Sequence, residues 1–476
     1  VCNLKRYTRE DWYEKWPARK AEALREATRE ASHHACRRTT GHSPWSLEDE
    51  VAALACGLLT KQRKTFKCPE NSLKAMVKQE PNPLRKTPAK PRLIHFYDDL
   101  SSQATHGPEH YNLQKAMGEV MDIEGFPITE FARVTFASSL SPIEKGRWYK
   151  EATEWAGPDG RGVEVDGACW DATMGAHCLK AQLVFMERAR ASAEMIYSVR
   201  VTEHCHATMR RPGEEPLKWR LRFTTKSGHN DTTWRNSLYN ALISALAFSA
   251  LKVPVRIMVV GDDMIAFTRG QFDADALRTE LTRFGITPEM AVFAPHQFCR
   301  MEFASSCFVP VTLRPSGEKT FVAVPKVGRM FERLFWTHTD VRRSRTKSFA
   351  SSVVMGMRWA LWDNPAVHRF LHANFTEGVR LIDTARWFPR DVERLEYGPE
   401  YQAWFIDRYG FPISSLNSFF ELCEAHAGEV GVVVDQFARC VVDFDYAGPE
   451  ERVLDSFPLS GVPEPFASGP VPTPLS

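Results

Sequence analysis

The sequence lacks an uninterrupted apolar run long enough to cross a bilayer. Its longest apolar stretch, Asn240 to Val260, is broken by Lys252, Pro254 and Arg256, which argues against a membrane span there. No signal-peptide pattern is found, and a chain starting at Val1 rather than Met is compatible with a processed or excised product. The 11 cysteines are odd in number, scattered, and form no C-x-x-C pair. That pattern argues against a disulfide framework and fits a reduced, intracellular protein. An excess of either charge is missing too: 61 lysines and arginines face 59 acidic residues, a formal net charge of +2. Any basic surface must therefore be local, as in a channel. No internal repeat is visible.

What the chain does have is apolar mass. Its 476 residues are 43% hydrophobic and 11% aromatic, which excludes wholesale disorder and suits two to four compact units or one multi-lobed enzyme. Residues 9–32 are charged and helix-forming, as in a solvated surface helix interrupted at Pro17. From Lys61 to Arg92 the chain is basic and proline-punctuated, which predicts extended loops. Val163 and Val165 share one face of a strand that ends in a turn. Trp234, Leu238, Leu242, Ala245 and Phe248 recur at helical spacing over 231–251, and Pro254 closes the segment. Val255, Ile257 and Val259 then alternate as a strand, and Ile265 and Phe267 continue after a Gly-Asp turn. Glycine at the first central position predicts a tight type II′ hairpin. An amphipathic helix over Asp273–Gly285 and a hairpin around Pro315-Ser316-Gly317 follow. Beyond about residue 330 the pattern is mostly helical, and Gly461–Ser476 reads as a flexible Pro-rich tail.

The hairpin carries two adjacent carboxylates, Asp262 and Asp263, between apolar runs. Like charges side by side are costly in an apolar setting unless something neutralises them. Alone, Gly-Asp-Asp is an ordinary turn sequence. Upstream, however, a second strand ends in Asp166 and is followed by Asp171. If both strands belong to one sheet, Asp166 and Asp262 converge at one edge. Mg²⁺ would relieve their repulsion while taking phosphate oxygens as further ligands. Between the two lies Ser227-Gly228-His229-Asn230-Asp231-Thr232-Thr233-Trp234-Arg235-Asn236. Gly228 allows a bend into the helix, and Thr232 and Asn236 fall on one helical face.

In that order, Asp-x(4)-Asp, Ser-Gly-x(3)-Thr-x(3)-Asn and Gly-Asp-Asp resemble motifs A, B and C of viral RNA-dependent RNA polymerases. The resemblance covers roughly residues 160–310, in unpermuted order. It implies an α+β right-hand fold with fingers, a palm of antiparallel sheet backed by helices, and a mostly helical thumb. The regions implied are 1–159 fingers, 160–182 palm, 183–223 a fingers insertion, 224–310 palm, 311–460 thumb and 461–476 tail. Asp166, Asp262 and Asp263 would be catalytic metal ligands for Mg²⁺, with Mn²⁺ as a substitute. Asp171, Thr232 and Asn236 would select the ribose 2′-OH, and Ser227 and Gly228 would form a loop on the template and nascent pair. Lys78, Lys90 and Arg92 sit in segments that resemble motif F, whose cations face the NTP triphosphate. Residues 302–310 resemble motif E, and Pro325–Arg329 is similar to a thumb-side segment of compact noda- and tombus-like polymerases.

The implied partners are RNA template and product, NTPs, and other viral replication proteins, in the host cytoplasm or a virion. Departures are visible: no lysine lies between Lys252 and Lys319, where motif D usually supplies one, leaving Arg283 and His296 in that region. Trp234 and Arg235 are also bulkier than motif B expects. The rival readings are a reverse transcriptase and a non-catalytic RNA-binding protein on the same fold; Asp171 with Asn236 favours ribonucleotides. His204-Cys205-His206 alternates across a strand and predicts no zinc site. Arg342, Arg343, Arg345 and Lys347 form a basic run that suits either an RNA backbone or solvent.

Overall fold

The computed structural model describes residues 72–77, 93–97, 101–210, 213–336, 341–381, 393–429 and 433–454. The helix expected over 9–32 and the tail at 461–476 lie outside the described residues. In chain order the first strands are β1 (Ser72–Val77), β2 (Leu93–Tyr97), β3 (Phe126–Pro127), β4 (Ala132–Phe136), β5 (Arg161–Gly167), β6 (His204–Met209) and β7 (Leu217–Arg222). They are followed by β8 (Val255–Val260), β9 (Asp263–Thr268), β10 (Pro288–Phe293), β11 (Glu302–Phe303), β12 (Ser306–Arg314), β13 (Lys319–Pro325) and β14 (Arg394–Glu396). β1 corrects the expectation of loops alone over 61–92: Leu73 and Ala75 alternate as buried positions, and Leu73 packs with Cys205 and Ala207, enough to hold a short strand.

The chain divides into two compact units, residues 1–140, 166–264 and 273–288 in the first and 141–165, 265–272 and 289–476 in the second. The first unit contains a sheet of order β2-β1-β6-β7. It also holds parts of all six strands of a sheet ordered β10-β5-β9-β8-β4-β3. Of β5, β9 and β10 it holds Asp166–Gly167, Asp263–Met264 and Pro288. β4 and β8 run parallel, Ala132 opposite Val255 and Phe136 opposite Val259, whereas β3 and β4 are antiparallel. The antiparallel sheet expected from the sequence is thus a mixed one. The long connection from β4 to β8 gives the chain room to return in the same direction, which a short turn cannot do.

Within that connection lies the helix Thr232–Ala250, buried along most of its length. Trp234 and Leu238 pack with Phe136, with Leu113 and Met117 of the helix Ser101–Val120, and with Leu179 and Met186 of the helix Ala176–Arg188. A helix that is apolar on nearly all sides belongs in a core, so any polar side chain on it needs a partner.

The second unit is organised around β11–β13 and β14. A two-residue turn at Ala304 (φ 49°) and Ser305 (φ 63°) joins β11 to β12, both residues left-handed as a type I′ turn requires. The helix Pro142–Ala156 opens with a Ser141/Glu144 capping box and Pro at its start. An aromatic-rich core joins Val309, Leu313 and Val324 to Tyr401, Phe405, Tyr409, Phe420 and Phe444.

Inside it sits an ion cluster the sequence did not announce. Arg452 pairs with both oxygens of Glu164, at 2.6 and 3.1 Å. Arg408 bonds Glu302 at 2.5 Å and Asp445 at 2.8 Å, and Lys326 bonds Glu302. Three cations balance three carboxylates, all buried. Burial opposes ionisation of Glu302, but Arg452, Lys326 and Arg408 outweigh it and bring its carboxyl down to about 2. Glu164 moves the other way, because burial raises it further than Arg452 lowers it.

Candidate active site

The sequence groups Asp171 with Thr232 and Asn236 and assigns Ser227 to the neighbouring loop; in the structure Asp171 bonds both Asn236 and Ser227. Asn236 Nδ2 donates to Asp171 Oδ1 at 3.0 Å, and Ser227 Oγ donates to Asp171 Oδ2 at 2.8 Å. Thr225 reinforces both partners, its backbone N–H on the Asp171 carbonyl at 3.0 Å and its hydroxyl on Asn236 Oδ1 at 3.2 Å. Local structure aims Asp171. Cys169 is left-handed (φ 54°), so the chain folds sharply after β5 into the single-turn helix Trp170–Thr173. Trp170 is then buried beside Met174, Tyr239 and Ile286, which pins that turn to the 232–250 helix.

The loop before that helix is held from several sides. Gly228 donates its N–H to the His95 carbonyl on β2 at 2.9 Å, so closely that a Cβ there would lie 2.9 Å from Phe96 Cβ. The Thr232 hydroxyl bonds the carbonyls of Lys226 at 2.8 Å and His229 at 2.9 Å rather than joining Asp171 and Asn236. Its contribution is to close the loop. Lys226 is buried with its ammonium on the Thr202 carbonyl at 2.6 Å, and burial brings its pKa down to about 8. Asp231 stands at the helix N-cap without capping it. Its carboxylate instead meets His229, takes a 2.5 Å bond from Gln182, and lies 3.7 Å from Arg235. Burial would raise that carboxyl, yet His229 and Arg235 together hold it well below the usual carboxylate range.

The same helix grips the Gly261-Asp262-Asp263 turn. Gly261 has φ 61°, a left-handed conformation that suits glycine at the first central position of the expected type II′ turn. Its N–H donates to Ser237 Oγ at 2.7 Å. Asn240 Nδ2 lies 3.3, 2.9 and 3.2 Å from the carbonyls of Gly261, Asp262 and Asp263. Ser244 Oγ in turn donates to Asn240 Oδ1 at 3.1 Å. Ser237 and Asn240 were not singled out from the sequence. Their signal was available: Asn236, Asn240 and Ser244 recur every four residues on a helix otherwise too apolar to tolerate them.

β5 and β9 are neighbours in strand order, and Asp166 falls in the same compact unit as Asp262 and Asp263. Asp166 is exposed and Asp262 and Asp263 are half-buried. Among the described residues, no group of three or more His, Cys, Asp and Glu side chains is arranged to hold a metal ion. Lys78, Lys90 and Arg92 lie outside the described residues. Arg283 is exposed and pairs with Glu280 at 2.9 Å. His204 and His206 are exposed on β6 with Cys205 buried between them, as the alternation predicts.

An α+β protein with hydroxyl- and amide-bonded Asp171 beside an acidic hairpin turn is compatible with a polymerase fold. Residues 177–313 match the family model described as viral RNA-directed RNA-polymerase. The match spans Ser227–Asn236 and Gly261–Asp263 and begins after Asp166 and Asp171. It supports a viral RNA-directed RNA polymerase that acts on an RNA template with NTPs. No curated protein matches the chain. Among the described residues, no helix is long and apolar enough to cross a membrane.

Proposed function

We propose that the chain copies an RNA template into RNA from NTPs by two-metal nucleotidyl transfer, in replication of an RNA virus genome. The observation that carries this reading is the hydrogen-bonded set Asp171–Asn236–Ser227, joined through Asn236 to the helix that also holds the Asp262–Asp263 turn. A selector for a ribose hydroxyl needs polar groups held in place before the sugar arrives, and this set is held by Thr225 and the loop bonds.

In this reading the regions inferred from the sequence form fingers, palm and thumb, with Asp166, Asp262 and Asp263 at the reacting centre. These carboxylates would hold Mg²⁺, which when bound stabilises charge on the attacking and leaving oxygens. Asp171 and Asn236 orient the nucleotide through its 2′-OH, while Ser227 and Gly228 present the loop to the template and nascent pair. By the resemblance, Lys78, Lys90 and Arg92 would supply the cations for the triphosphate. Strand choice comes from base pairing, and the protein reads the sugar.

The test is primer extension on an RNA template with Mg²⁺, NTPs beside dNTPs, wild type beside Asp262→Ala. Incorporation of NTPs by the wild type alone is expected. Extension with dNTPs alone would move the chain to a DNA-synthesising relative. Silence on primed and unprimed templates, with Mn²⁺ also tried, would leave a binding role.

A further inference from the structure

One face of the β2-β1-β6-β7 sheet has no part in the site described above. Pairing fixes which residues share it. His204 lies opposite Arg222, His206 opposite Arg220 and Thr208 opposite Lys218, while Lys74 lies opposite both Thr208 and Phe96. Residues paired across neighbouring strands point to the same side. The opposite side buries Leu73, Cys205 and Ala207 against Trp219 and Leu221. Lys74, His204, His206, Lys218, Arg220 and Arg222 are all exposed.

Among the described strand residues the charge on this face has one sign. No Asp or Glu occurs in β1, β2, β6 or β7. The nearby acids lie in the flanking segments: Glu203, 3.2 Å from His204, and Glu214 and Glu215 on the β6–β7 connection. Charged edge strands do deter edge-to-edge pairing. That role would be met by β7 alone and does not require Lys74 two strands in. The cations of β7 stand about 6.7 Å apart along the strand, a pitch that successive phosphates of an extended strand can meet. Guanidinium groups match phosphate geometry. At the other edge, Phe96 adjoins Gly228, so the face begins at the loop bonded to Asp171.

We propose that this face binds the phosphate backbone of single-stranded RNA without regard to sequence and leads it to the Ser227–Gly228 loop. That the RNA is a template rests on the polymerase reading; the binding surface does not. An acidic peptide would also meet the charge, but its docking would not account for a surface that ends at the loop beside Asp171.

The experiment follows the anisotropy of a labelled single-stranded oligouridylate against salt, with the full chain. In the triple variant Lys218→Gln, Arg220→Gln, Arg222→Gln the slope of log K on log salt should fall by about 2, at roughly 0.7 per cation removed. Lys218→Arg, which keeps the charge, should keep the slope. If the triple variant does not fold, Arg220→Gln and Arg222→Gln singly should each lower it by about 0.7. A folded variant with the wild-type slope and affinity would overturn the proposal. So would loss of binding to a polyglutamate peptide with RNA binding intact, which assigns the face to an acidic protein. Primer extension by the wild type reads the polymerase reading separately: a chain that extends nothing yet shows the slope change keeps the surface and loses only the template.

Discussion

Asn236 and Ser227 occupy the two oxygens of one carboxylate: the amide donates to Asp171 Oδ1 at 3.0 Å and the hydroxyl to Oδ2 at 2.8 Å. Asp171 is thus fixed in rotation, and under the proposed function a ribose hydroxyl would meet an acceptor whose position is already set. Removing a partner from such a network leaves polar groups unpaired, at about 1–3 kcal/mol. In Asn236→Ala the preference for NTP over dNTP should therefore shrink about tenfold or more, with NTP incorporation still measurable. Competition of the two substrates in single-nucleotide extension reads the ratio. An unchanged ratio would remove Asn236 from sugar selection.

Asn240 makes a different prediction. Its amide group lies within 3.3 Å of three consecutive carbonyls of the Gly261–Asp263 turn, and nothing apolar can replace that donor. Asn240→Ala should cost about 1–3 kcal/mol of stability and lower kcat while sparing the NTP/dNTP ratio. Thermal unfolding and extension kinetics separate this from Asn236→Ala. A loss of sugar preference equal to that of Asn236→Ala would mean that the two asparagines act as one unit.

Gly228 tests the loop. A methyl group at this position would lie 2.9 Å from Phe96 Cβ and 3.0 Å from the His95 carbonyl, so the loop or β2 must shift. Gly228→Ala should reduce extension while leaving oligouridylate affinity within about twofold, because phosphate contacts dominate affinity. Equal losses in both would show that the loop itself holds RNA.

The elements were legible in the sequence where one period dominated. Trp234 to Phe248 foretold the helix, and Gly261 foretold the turn, because apolar spacing and a left-handed position are local properties. The site was legible only in part: the spacing paired Asp171 with Asn236, which do meet, but it grouped Thr232 with them, whereas Ser227 takes the other Asp171 oxygen and Thr232 bonds the loop carbonyls. What stayed hidden depended on partners far along the chain. Glu164 reads as an outward residue between Val163 and Val165, yet it is buried because Arg452 reaches it. The β11–β12 turn at Ala304 and Ser305 has neither Gly nor Asn to mark its left-handed backbone. The parallel pairing of β4 with β8 likewise has no local signature.

The Glu164–Arg452 pair supplies the last prediction. Glu302, held down to about 2 against an ordinary 4.5, contributes stability that is present above pH 4.5 and lost as pH falls toward 2. Glu164 is raised instead, so its ionised form costs stability as pH climbs above 4.5. Arg452 is the largest stabilising influence on both carboxylates. Arg452→Met leaves Glu164 buried without its bidentate partner and should destabilise the fold by about 3–5 kcal/mol at neutral pH. The penalty belongs to the ionised carboxylates, so it should shrink as the pH falls below about 5. Urea unfolding of both proteins at pH 7 and pH 4 measures this. Glu164→Gln in the Arg452→Met background should recover part of the loss at pH 7, because it removes the stranded charge. Equal destabilisation at both pH values, with no recovery, would mean that Arg452 acts through packing on Phe293 at 5.8 Å rather than through charge.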